Sequence, residues 1–396
     1  MKRSILFVIN TLGIGGAERA LISLISALPE DEFDIDLLVI TGQGELVREI
    51  PDHVSLISDC KPVSVLSKEG RDLLKRRCIR AFFKNGQGIG LLPYMMTNGF
   101  DMLRKGRFLP DKILWRLLAD SCVRPDKNYD LAVAYIEGGA TYYVADHVKA
   151  NRKVAFVHIP YSAAGYTRGL DRNCYRAFDR VYAISEPMAA DLAEFYPEIR
   201  SKIGVFENLL DTGRIKKMSL ETGFTDGYSG SRIVSLLRLT SQKAVDISVE
   251  AMARLRTLGF SARWYVFGDG DERDRLEELI RERGLESDFI LCGTVPNPYP
   301  FIREADLYVH ASRFEGRSIA VREAMALGTA VIVSDVPGNR EHIKDGVNGL
   351  LCRMDPEDIA DKIISLISDR DLCKKLGDNA ALEDEDQIDP VKLLFE

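Results

Sequence analysis

The first forty residues pass from an apolar run through a glycine-rich loop to a helical pattern and a second apolar run. Residues 4–9 (Ser-Ile-Leu-Phe-Val-Ile) form the first run, 10–16 the loop, 17–28 the helical pattern and 35–40 the second run. This order is typical of the opening unit of a parallel α/β sheet. It therefore predicts a buried strand whose carboxyl end opens onto a glycine loop.

The same alternation returns in the second half of the chain. Strand patterns occur at 233–237, 262–267, 289–292, 307–310 and 330–334, with helical patterns between them at 245–258, 272–283 and 319–327. A chain of 396 residues is long for one hydrophobic core. Two consecutive units predict two Rossmann-like, doubly wound α/β domains that face each other across a cleft, with ligands beyond the carboxyl ends of the strands.

Composition shifts along the chain predict the domain boundaries. Residues 211–230 contain few apolar side chains, as is typical of a linker. We expect a first domain at 1–210, the linker at 211–230 and a second domain at 231–380. Residues 381–396 are acidic and are expected to form either a tail or a segment that crosses back to the first domain.

Charge and cysteine usage narrow the class of protein. The net charge of -7 gives no reason to expect nucleic acid as a partner, and no apolar run approaches the ~20 residues of a membrane-spanning helix. The seven cysteines form no Cys-x-x-Cys pair, and the five histidines have no zinc-ligand spacing. We therefore expect a cytoplasmic protein with reduced thiols and no metal site.

One segment, residues 61–125, is basic although the whole chain is acidic, with fourteen Lys and Arg against five Asp and Glu. Bulky apolar residues are interleaved with these cations. Two interpretations stay open: surface helices that pack one face on the first domain, or an amphipathic patch that meets an anionic membrane or a phosphate-bearing lipid acceptor. In the second case the protein is peripheral at the inner face of the cell membrane.

The most informative stretch is 314–325, which holds Glu315 and Glu323 eight residues apart. Such a pair is common on solvated helices, but here an apolar strand precedes it and a buried helix and strand follow it. If a helix begins near Ser318, its unpaired amides and positive end form a seat for a diphosphate. Glu323 is then expected to reach ribose hydroxyls, and Glu315 to accept hydrogen bonds from a sugar.

These motifs resemble glycosyltransferase family 4, a group of retaining, metal-independent enzymes with the GT-B fold. The resemblance is carried by Glu-x7-Glu, by the Glu-Ala-Met-Ala-Leu-Gly-Thr-Ala-Val-Ile that continues it, and by Gly-Val-Asn-Gly-Leu-Leu at 346–351. Residues 233–243 resemble the family's Arg…Lys signature, 205–211 its Asn-x-x-Asp and 10–18 its glycine loop. Most of the chain is covered, except about 60–125 and the last fifteen residues.

The resemblance implies roles for five side chains. Arg238 and Lys243 clamp the donor diphosphate in place of a metal, which fits the physics of a leaving group that gains charge. Glu323 holds the ribose, and Glu315 contacts the sugar or its developing cationic centre. His158 lies close to the transferred sugar. The implied catalytic set is therefore Glu315, His158, Arg238 and Lys243.

Backbone contacts to the donor are implied as well. Gly15 and Gly16 let the backbone approach the phosphate or sugar. The remaining donor-binding positions lie in the loop and first helical turn: Gly316, Arg317, Ser318, Ile319 and Ala320. Many relatives have Phe-Gly where this chain has Arg317-Ser318, so the donor sugar stays open.

The implied activity is that of a hexosyltransferase without cofactor or metal. It moves a sugar from a nucleotide-diphosphate sugar, with UDP-sugar as the first candidate, to a glycan or lipid-linked acceptor in surface polysaccharide or glycolipid biosynthesis. A nicotinamide-dependent oxidoreductase or epimerase is the alternative, supported only by the glycine loop, where Glu18 replaces the third glycine. A catalytically silent GT-B binding module is another. We interpret Asp269-Gly270-Asp271 as a turn plus a helix N-cap rather than a metal site.

Overall fold

The computed structural model describes residues 2–65, 67–83, 96, 110–164, 168–171, 173–316, 318–382 and 389–395. The chain forms two compact units. The first comprises Met1–Leu209 together with Ile388–Glu396, and the second comprises Leu210–Gln387.

The first unit is built on a seven-stranded parallel sheet in the order β3-β2-β1-β4-β5-β6-β7. The order reverses between the neighbours β1 and β4, which is where open α/β sheets form a ligand crevice. The strands are β1 Arg3–Ile9, β2 Phe33–Val39, β3 Val54–Leu56, β4 Asn128–Ala134, β5 Lys149–Val157, β6 Arg180–Ala183 and β7 Ile203–Val205.

Helices of the first unit connect these strands. Residues 5–9 of β1 are fully buried, as expected for a central strand of a parallel sheet. The helices are Gly16–Ser26, Lys68–Phe83, Pro110–Ser121, Gly139–His147, Tyr161–Ala164, Arg168–Asp171, Glu186–Phe195 and, near the carboxyl terminus, Pro390–Phe395.

The second unit repeats this design with a six-stranded parallel sheet in the order β10-β9-β8-β11-β12-β13. Its strands are β8 Ser231–Leu236, β9 Ala262–Phe267, β10 Phe289–Gly293, β11 Leu307–His310, β12 Val331–Ser334 and β13 Leu350–Cys352. Its helices are Thr212–Met218, Val245–Thr257, Arg273–Glu282, Tyr299–Glu304, Ile319–Ala326, Pro337–Arg340, Pro356–Ser368 and Arg370–Leu382. The prediction of two Rossmann-like α/β units is confirmed, and the cleft between them stays a prediction.

The segment expected to be a linker, 211–230, begins with a helix, Thr212–Met218. Asp211 caps it, since its Oδ1 accepts a hydrogen bond of 2.8 Å from the Arg214 amide. Ile215 is buried in the core of the second unit. Met218 and Phe224 pack against the same core, so a few well-placed apolar residues attach this polar segment to the second unit.

The last described residues belong to the first unit. The Phe395 ring stacks on Phe33 with 5.6 Å between centroids, and the Tyr182 hydroxyl donates a 2.6 Å hydrogen bond to the Leu393 carbonyl. The chain therefore returns to the first unit after the second unit is complete. The acidic residues 383–388 lie outside the described residues.

Part of the basic segment is described. The helix Lys68–Phe83 turns Leu74, Cys78 and Ala81 towards the core of the first unit, and these positions have the helical spacing i, i+4, i+7. Residues 84–95 and 97–109 lie outside the described residues. Within the part of the chain that the structure describes, no helix combines the length and the apolarity needed to cross a bilayer.

Candidate functional site

The carboxyl edge of the second sheet carries two loops that are tied to each other. One follows β8 and contains Gln242 and Lys243, and the other follows β11 and leads to Glu315. The Gln242 side-chain amide donates a hydrogen bond of 2.9 Å to the Phe314 carbonyl, and the Arg313 backbone amide donates one of 2.8 Å to the Gln242 carbonyl. These hydrogen bonds hold the predicted Lys243 and Glu315 on facing loops.

Glu315 lies at the centre of a polar cluster. Its Oε2 accepts hydrogen bonds from the Lys243 ammonium, from Ser312 Oγ at 2.9 Å and from His310 Nε2 at 3.1 Å. The side chains of Glu315 and Lys243 are only 10% and 11% exposed. The structure thus brings two of the four predicted catalytic residues into direct contact, together with His310 and Ser312, which we did not predict.

The cluster fixes the charges of its members. Burial alone would raise the pKa of Glu315, but the hydrogen bond from His310 and the charge of Lys243 lower it to about 2. Burial, reinforced by the neighbouring Lys243, lowers the pKa of His310. At neutral pH the cluster is therefore a carboxylate–ammonium pair beside a neutral imidazole. Removing one partner of such a buried pair typically costs ~3–5 kcal/mol.

The helix Ile319–Ala326 begins directly after this loop, as predicted. Ser318 precedes its first turn, and no side chain of the described residues caps that turn. The Ser318 hydroxyl lies 3.5 Å from His310 Nε2, so the start of the helix adjoins the cluster. Its use as a diphosphate seat, with Gly316, Ile319 and Ala320, stays a prediction. Arg317 lies outside the described residues.

Gly338 fixes the path of the loop that carries Glu315. A Cβ at this position would lie 2.0 Å from the Gly316 carbonyl oxygen and 2.4 Å from that of Glu315. Both neighbours are backbone atoms, which cannot rotate away. The loop therefore rests against the helix Pro337–Arg340 at a distance that only glycine permits.

Glu323 is held inside the same unit. It is 2% exposed, and its Oε1 accepts a 2.7 Å hydrogen bond from the Tyr299 hydroxyl. Tyr299 starts the helix Tyr299–Glu304, so a neighbouring element sets the direction of the carboxylate. The role of Glu323 in ribose binding stays a prediction, and Tyr299 is a contact that the sequence did not indicate.

Arg238 lies in the loop after β8, apart from the Lys243–Glu315 pair. The Leu237 amide donates a hydrogen bond to the carbonyl of Phe267, the last residue of β9, and the Leu239 amide donates one to the Asp269 carbonyl just after it. These bonds hold the loop that carries Arg238. The Arg238 side chain is exposed and has no hydrogen-bond or ion-pair partner among the described residues. Its part in a diphosphate clamp stays a prediction.

The Asp269-Gly270-Asp271 segment corrects one detail of the sequence interpretation. Asp269 accepts from the Gly270 amide at 2.8 Å and from Arg273 Nε at 2.9 Å, which is a turn. The helix Arg273–Glu282 follows Glu272 and has no side-chain cap, so the expected aspartate N-cap is wrong. The carboxylate bonds to the turn and to Arg273 instead. Within the described residues, no group of three or more acidic, His or Cys side chains could hold a metal ion.

Gly15 and Gly16 lie at the carboxyl edge of the first sheet, where the helix Gly16–Ser26 begins. The Glu18 carboxylate is close to Gly15, since a Cβ there would lie 2.2 Å from Glu18 Oε2. The Thr11 hydroxyl donates a hydrogen bond of 3.1 Å to the same carboxylate. We expect a carboxylate beside the glycine loop to favour a hydroxyl-bearing ligand over a phosphate.

His158 follows β5 at the same edge of the first sheet. The centroid of its ring lies 5.2 Å from that of Tyr135 and 6.3 Å from that of Phe156. Its backbone amide donates a hydrogen bond of 3.0 Å to Glu137 Oε2. Burial lowers the pKa of His158 to about 4, so the ring is neutral at physiological pH. Its contact with a transferred sugar stays a prediction.

His310, Ser312 and Tyr299 are the site residues that sequence reasoning missed. His310 had one usable signal: it is a polar residue that ends a buried strand, five positions before Glu315. Ser312 and Tyr299 had no comparable signal, because their contacts depend on how separate elements pack.

Comparison with known proteins shows which family the second unit resembles. Residues 230–383 match the model of the family described as Glycosyl transferases group 1. A Campylobacter jejuni relative is 28% identical over 55% of this chain and 59% of its own length. It is named N-acetylgalactosamine-N,N'-diacetylbacillosaminyl-diphospho-undecaprenol 4-alpha-N-acetylgalactosaminyltransferase. A Rhizobium meliloti lipopolysaccharide core biosynthesis glycosyltransferase is 28% identical over 45% of this chain and 52% of its own length. The chain spans less than two thirds of the length of these curated relatives.

Solved structures extend the likeness of the fold to nearly the whole chain. The Anabaena protein HepE in complex with UDP has a TM-score of 0.66 at 18% identity, over 99% of this chain and 97% of that one. A glycosyltransferase of Rickettsia africae has a TM-score of 0.60 at 18% identity, over 99% and 96%. The predicted resemblance to GT-B glycosyltransferases is confirmed. The narrower assignment to family 4 stays a prediction.

Proposed function

We propose that this chain is a retaining, metal-independent glycosyltransferase that moves a sugar from a UDP-sugar to a glycan or lipid-linked acceptor. The observation that carries the proposal is the Lys243–Glu315 pair at the ligand edge of the glycosyltransferase domain, directly before an uncapped helix start. Relatives named for lipid-linked and lipopolysaccharide acceptors support surface polysaccharide or glycolipid biosynthesis as the process.

Fixed positive charge supports transfer without a metal. When the bond between the sugar C1 and the phosphate oxygen breaks, the diphosphate gains negative charge. In this proposal Lys243 and the amides that start the helix Ile319–Ala326 stabilise that charge from fixed positions, and Arg238 reaches it from the loop after β8. This is the role that a divalent cation plays in other glycosyltransferases.

The anomeric configuration of the sugar is retained if the acceptor attacks C1 from the same face of the ring from which the diphosphate leaves. The acceptor oxygen forms the new bond to C1, and its proton passes to the departing phosphate oxygen, so that no protein nucleophile is required. Ionised Glu315 is suited to accept hydrogen bonds from sugar hydroxyls and to stabilise the cationic centre at C1.

A nucleotide-sugar screen in EDTA tests this function. We expect UDP-sugars to raise the melting temperature of the protein, a slow hydrolysis of the preferred donor, and a product that keeps the donor's anomeric configuration by NMR. A product of inverted configuration, or dependence on added Mg²⁺ or Mn²⁺, contradicts the mechanism. Binding of a nicotinamide dinucleotide instead indicates the oxidoreductase, and donor binding without hydrolysis or transfer indicates the silent module.

We also propose that the helix Lys68–Phe83 contacts an anionic membrane. Its outward face combines apolar and basic side chains: Ile79 and Phe83 are 61% and 76% exposed, and Lys75, Arg76 and Arg80 are exposed beside them. This mixture is typical of helices that lie in the interface of anionic bilayers. Together with a UDP-sugar donor and seven free cysteines, it supports a cytoplasmic enzyme at the inner face of the cell membrane.

Vesicle flotation of the full chain tests the membrane proposal. We expect binding to vesicles with anionic lipid and little binding to purely zwitterionic ones. The double variant Arg76→Glu/Arg80→Glu should lose most of that binding, because each cation near an anionic surface contributes ~1 kcal/mol. Lys216→Glu/Lys217→Glu, on an exposed helix of the second unit, is the matched control. Equal binding by both double variants contradicts the proposal.

A further inference from the structure

His310 occupies an unusual position among the residues of the site. It is the last residue of β11 and only 1% exposed. Its Nε2 lies 3.1 Å from Glu315 Oε2 and 3.3 Å from Lys243 Nζ, and its Nδ1 lies 3.2 Å from the Tyr308 hydroxyl oxygen. A buried imidazole thus touches both members of the ion pair.

The contact between Nε2 and Glu315 indicates which nitrogen carries the proton, because the Lys243 ammonium beside Nε2 donates to the same carboxylate. A neutral imidazole has one N–H and one lone pair, and an ionised carboxylate can only accept. His310 therefore donates from Nε2 to Glu315, and its Nδ1 is left as an acceptor. The Tyr308 hydroxyl oxygen lies 3.2 Å from that nitrogen, and its proton has a second acceptor in the Leu236 carbonyl, also at 3.2 Å. The contact that orients Glu315 is therefore the one from Nε2.

The two oxygens of Glu315 differ as a result. Oε2 accepts from Lys243, Ser312 and His310. Oε1 has no hydrogen-bond donor among the described residues. Three donors on one oxygen fix the rotation of the carboxylate, so the second oxygen remains available in a set direction.

We propose that His310 is a positioning residue of the donor site, which holds Glu315 so that Oε1 meets a hydroxyl of the transferred sugar while Lys243 stays paired on Oε2. This inference rests on the proposed function. It assigns His310 no contact with substrate, and it predicts that the Nε2–H group rather than the bulk of the ring matters for turnover.

Conservative and disruptive variants separate these two roles. His310→Leu fills the space without a donor, and we expect kcat to fall by ~10²-fold, the usual effect of misplacing a reacting group by about 1 Å, with donor KM changed less than kcat. His310→Gln places an amide N–H near the position of Nε2 and should restore kcat to within roughly tenfold of wild type. Tyr308→Phe, which removes the hydroxyl beside Nδ1 together with its hydrogen bond to the Leu236 carbonyl, should fall between them.

Thr329→Val provides the matched control. It removes a buried 2.9 Å hydrogen bond to the Ile302 carbonyl in the same unit, just before β12 begins and away from the cluster. We expect it to lower the melting temperature and leave kcat unchanged. Wild-type kcat in His310→Leu overturns the inference. So does an equal loss in His310→Gln and His310→Leu, since the ring would then act through packing.

Nitrogen-15 NMR of histidine-labelled full-length protein gives a readout that does not need turnover. We expect the His310 signals, assigned by their loss in His310→Gln, to show a protonated Nε2 and an unprotonated Nδ1. The opposite tautomer overturns the inference. If the wild-type protein neither binds nor turns over any UDP-sugar, the proposed function fails, and the NMR result still decides whether His310 holds Glu315.

Discussion

The ligand edges of the two sheets differ in how their polar groups are organised. At the edge of the second unit, two loops are tied together and a carboxylate, an ammonium and an imidazole share one set of hydrogen bonds. At the edge of the first unit, the glycine loop lies beside the Glu18 carboxylate, and His158 is neutral and packed on aromatic rings. We therefore expect the second edge to bind a diphosphate and the first to bind neutral hydroxyls.

This contrast teaches that one fold can be adapted to two ligand chemistries by the residues that follow its strands. The backbone is similar in both units: a parallel strand, a turn and a helix start. The difference lies in side chains that follow single strands, His310 and Glu315 in one unit and His158 in the other. If the charged groups of the second edge bind the donor, changes to them should affect binding and turnover more than changes elsewhere on the surface.

The largest effect is expected from Lys243→Ala. The variant removes a cation from the diphosphate site and leaves the Glu315 carboxylate buried without its ion-pair partner. We expect kcat to fall by ~10²–10³-fold in a donor-hydrolysis or transfer assay. Lys217→Ala, an exposed lysine on a helix of the same unit, is the control. Comparable losses in both variants would remove the distinction between this edge and the rest of the surface.

Glu323→Ala is expected to weaken nucleotide binding rather than turnover at saturating donor. Hydrogen bonds to a charged group contribute roughly 1.5–3 kcal/mol, so the Kd for UDP should rise by about 10–100-fold in a calorimetric titration. Tyr299→Phe frees Glu323 Oε1 from its 2.7 Å hydrogen bond and should raise the Kd by less. An unchanged Kd for UDP in Glu323→Ala would show that Glu323 does not bind the donor.

Gly338→Ala should displace the loop that carries Glu315. The added Cβ meets two backbone carbonyl oxygens, and overpacking of this kind costs about 1–3 kcal/mol of unfolding free energy. Gly213→Ala is the control, because the nearest atom to its Cβ lies at 3.6 Å in an exposed helical turn. Denaturant unfolding should show a loss in the first variant and no loss in the second. Equal stability of the two variants would mean that the loop is not held by close contact.

The smallest expected effect is on the pH dependence of stability, where His158 of the first edge and Glu315 of the second act over different pH ranges. His158 has a folded pKa of about 4 against 6.5 in the unfolded chain, so its contribution to stability is present above pH 6.5 and is lost as pH falls towards 4. The corresponding window for Glu315 lies lower, from pH 4.5 down to about 2. The stability advantage of wild type over His158→Gln should therefore shrink by ~1–3 kcal/mol between pH 6.5 and 4. An advantage that is constant over this range contradicts a neutral His158.

Much of the fold was predictable from the sequence because hydrophobic periodicity reports directly on strands and helices. The strand patterns at 233–237 and 307–310 match β8 and β11 within two residues. Chain segments that lack such periodicity were predicted less well. The helix Thr212–Met218 packs on the second unit through Ile215 and Met218, and residues 390–395 return to the first unit through contacts with Phe33 and Tyr182.

The candidate site was predictable only in part, for a similar reason. The spacing of Glu315 and Glu323 is local, and the start of the helix between them follows from the apolar pattern. The contact of Glu315 with Lys243 joins loops that follow two neighbouring strands, β8 and β11, and arises from sheet order. Without that order, no spacing along the chain indicates that these two residues pair.

The most direct test of the central claim is a calorimetric titration of UDP into the full-length protein in EDTA. We expect saturable binding without any divalent cation, and binding at least tenfold weaker in Lys243→Ala than in Lys217→Ala, if fixed positive charge at the edge of the second sheet holds the diphosphate. Binding that requires Mg²⁺ or Mn²⁺, or that is equally strong in both variants, would contradict it.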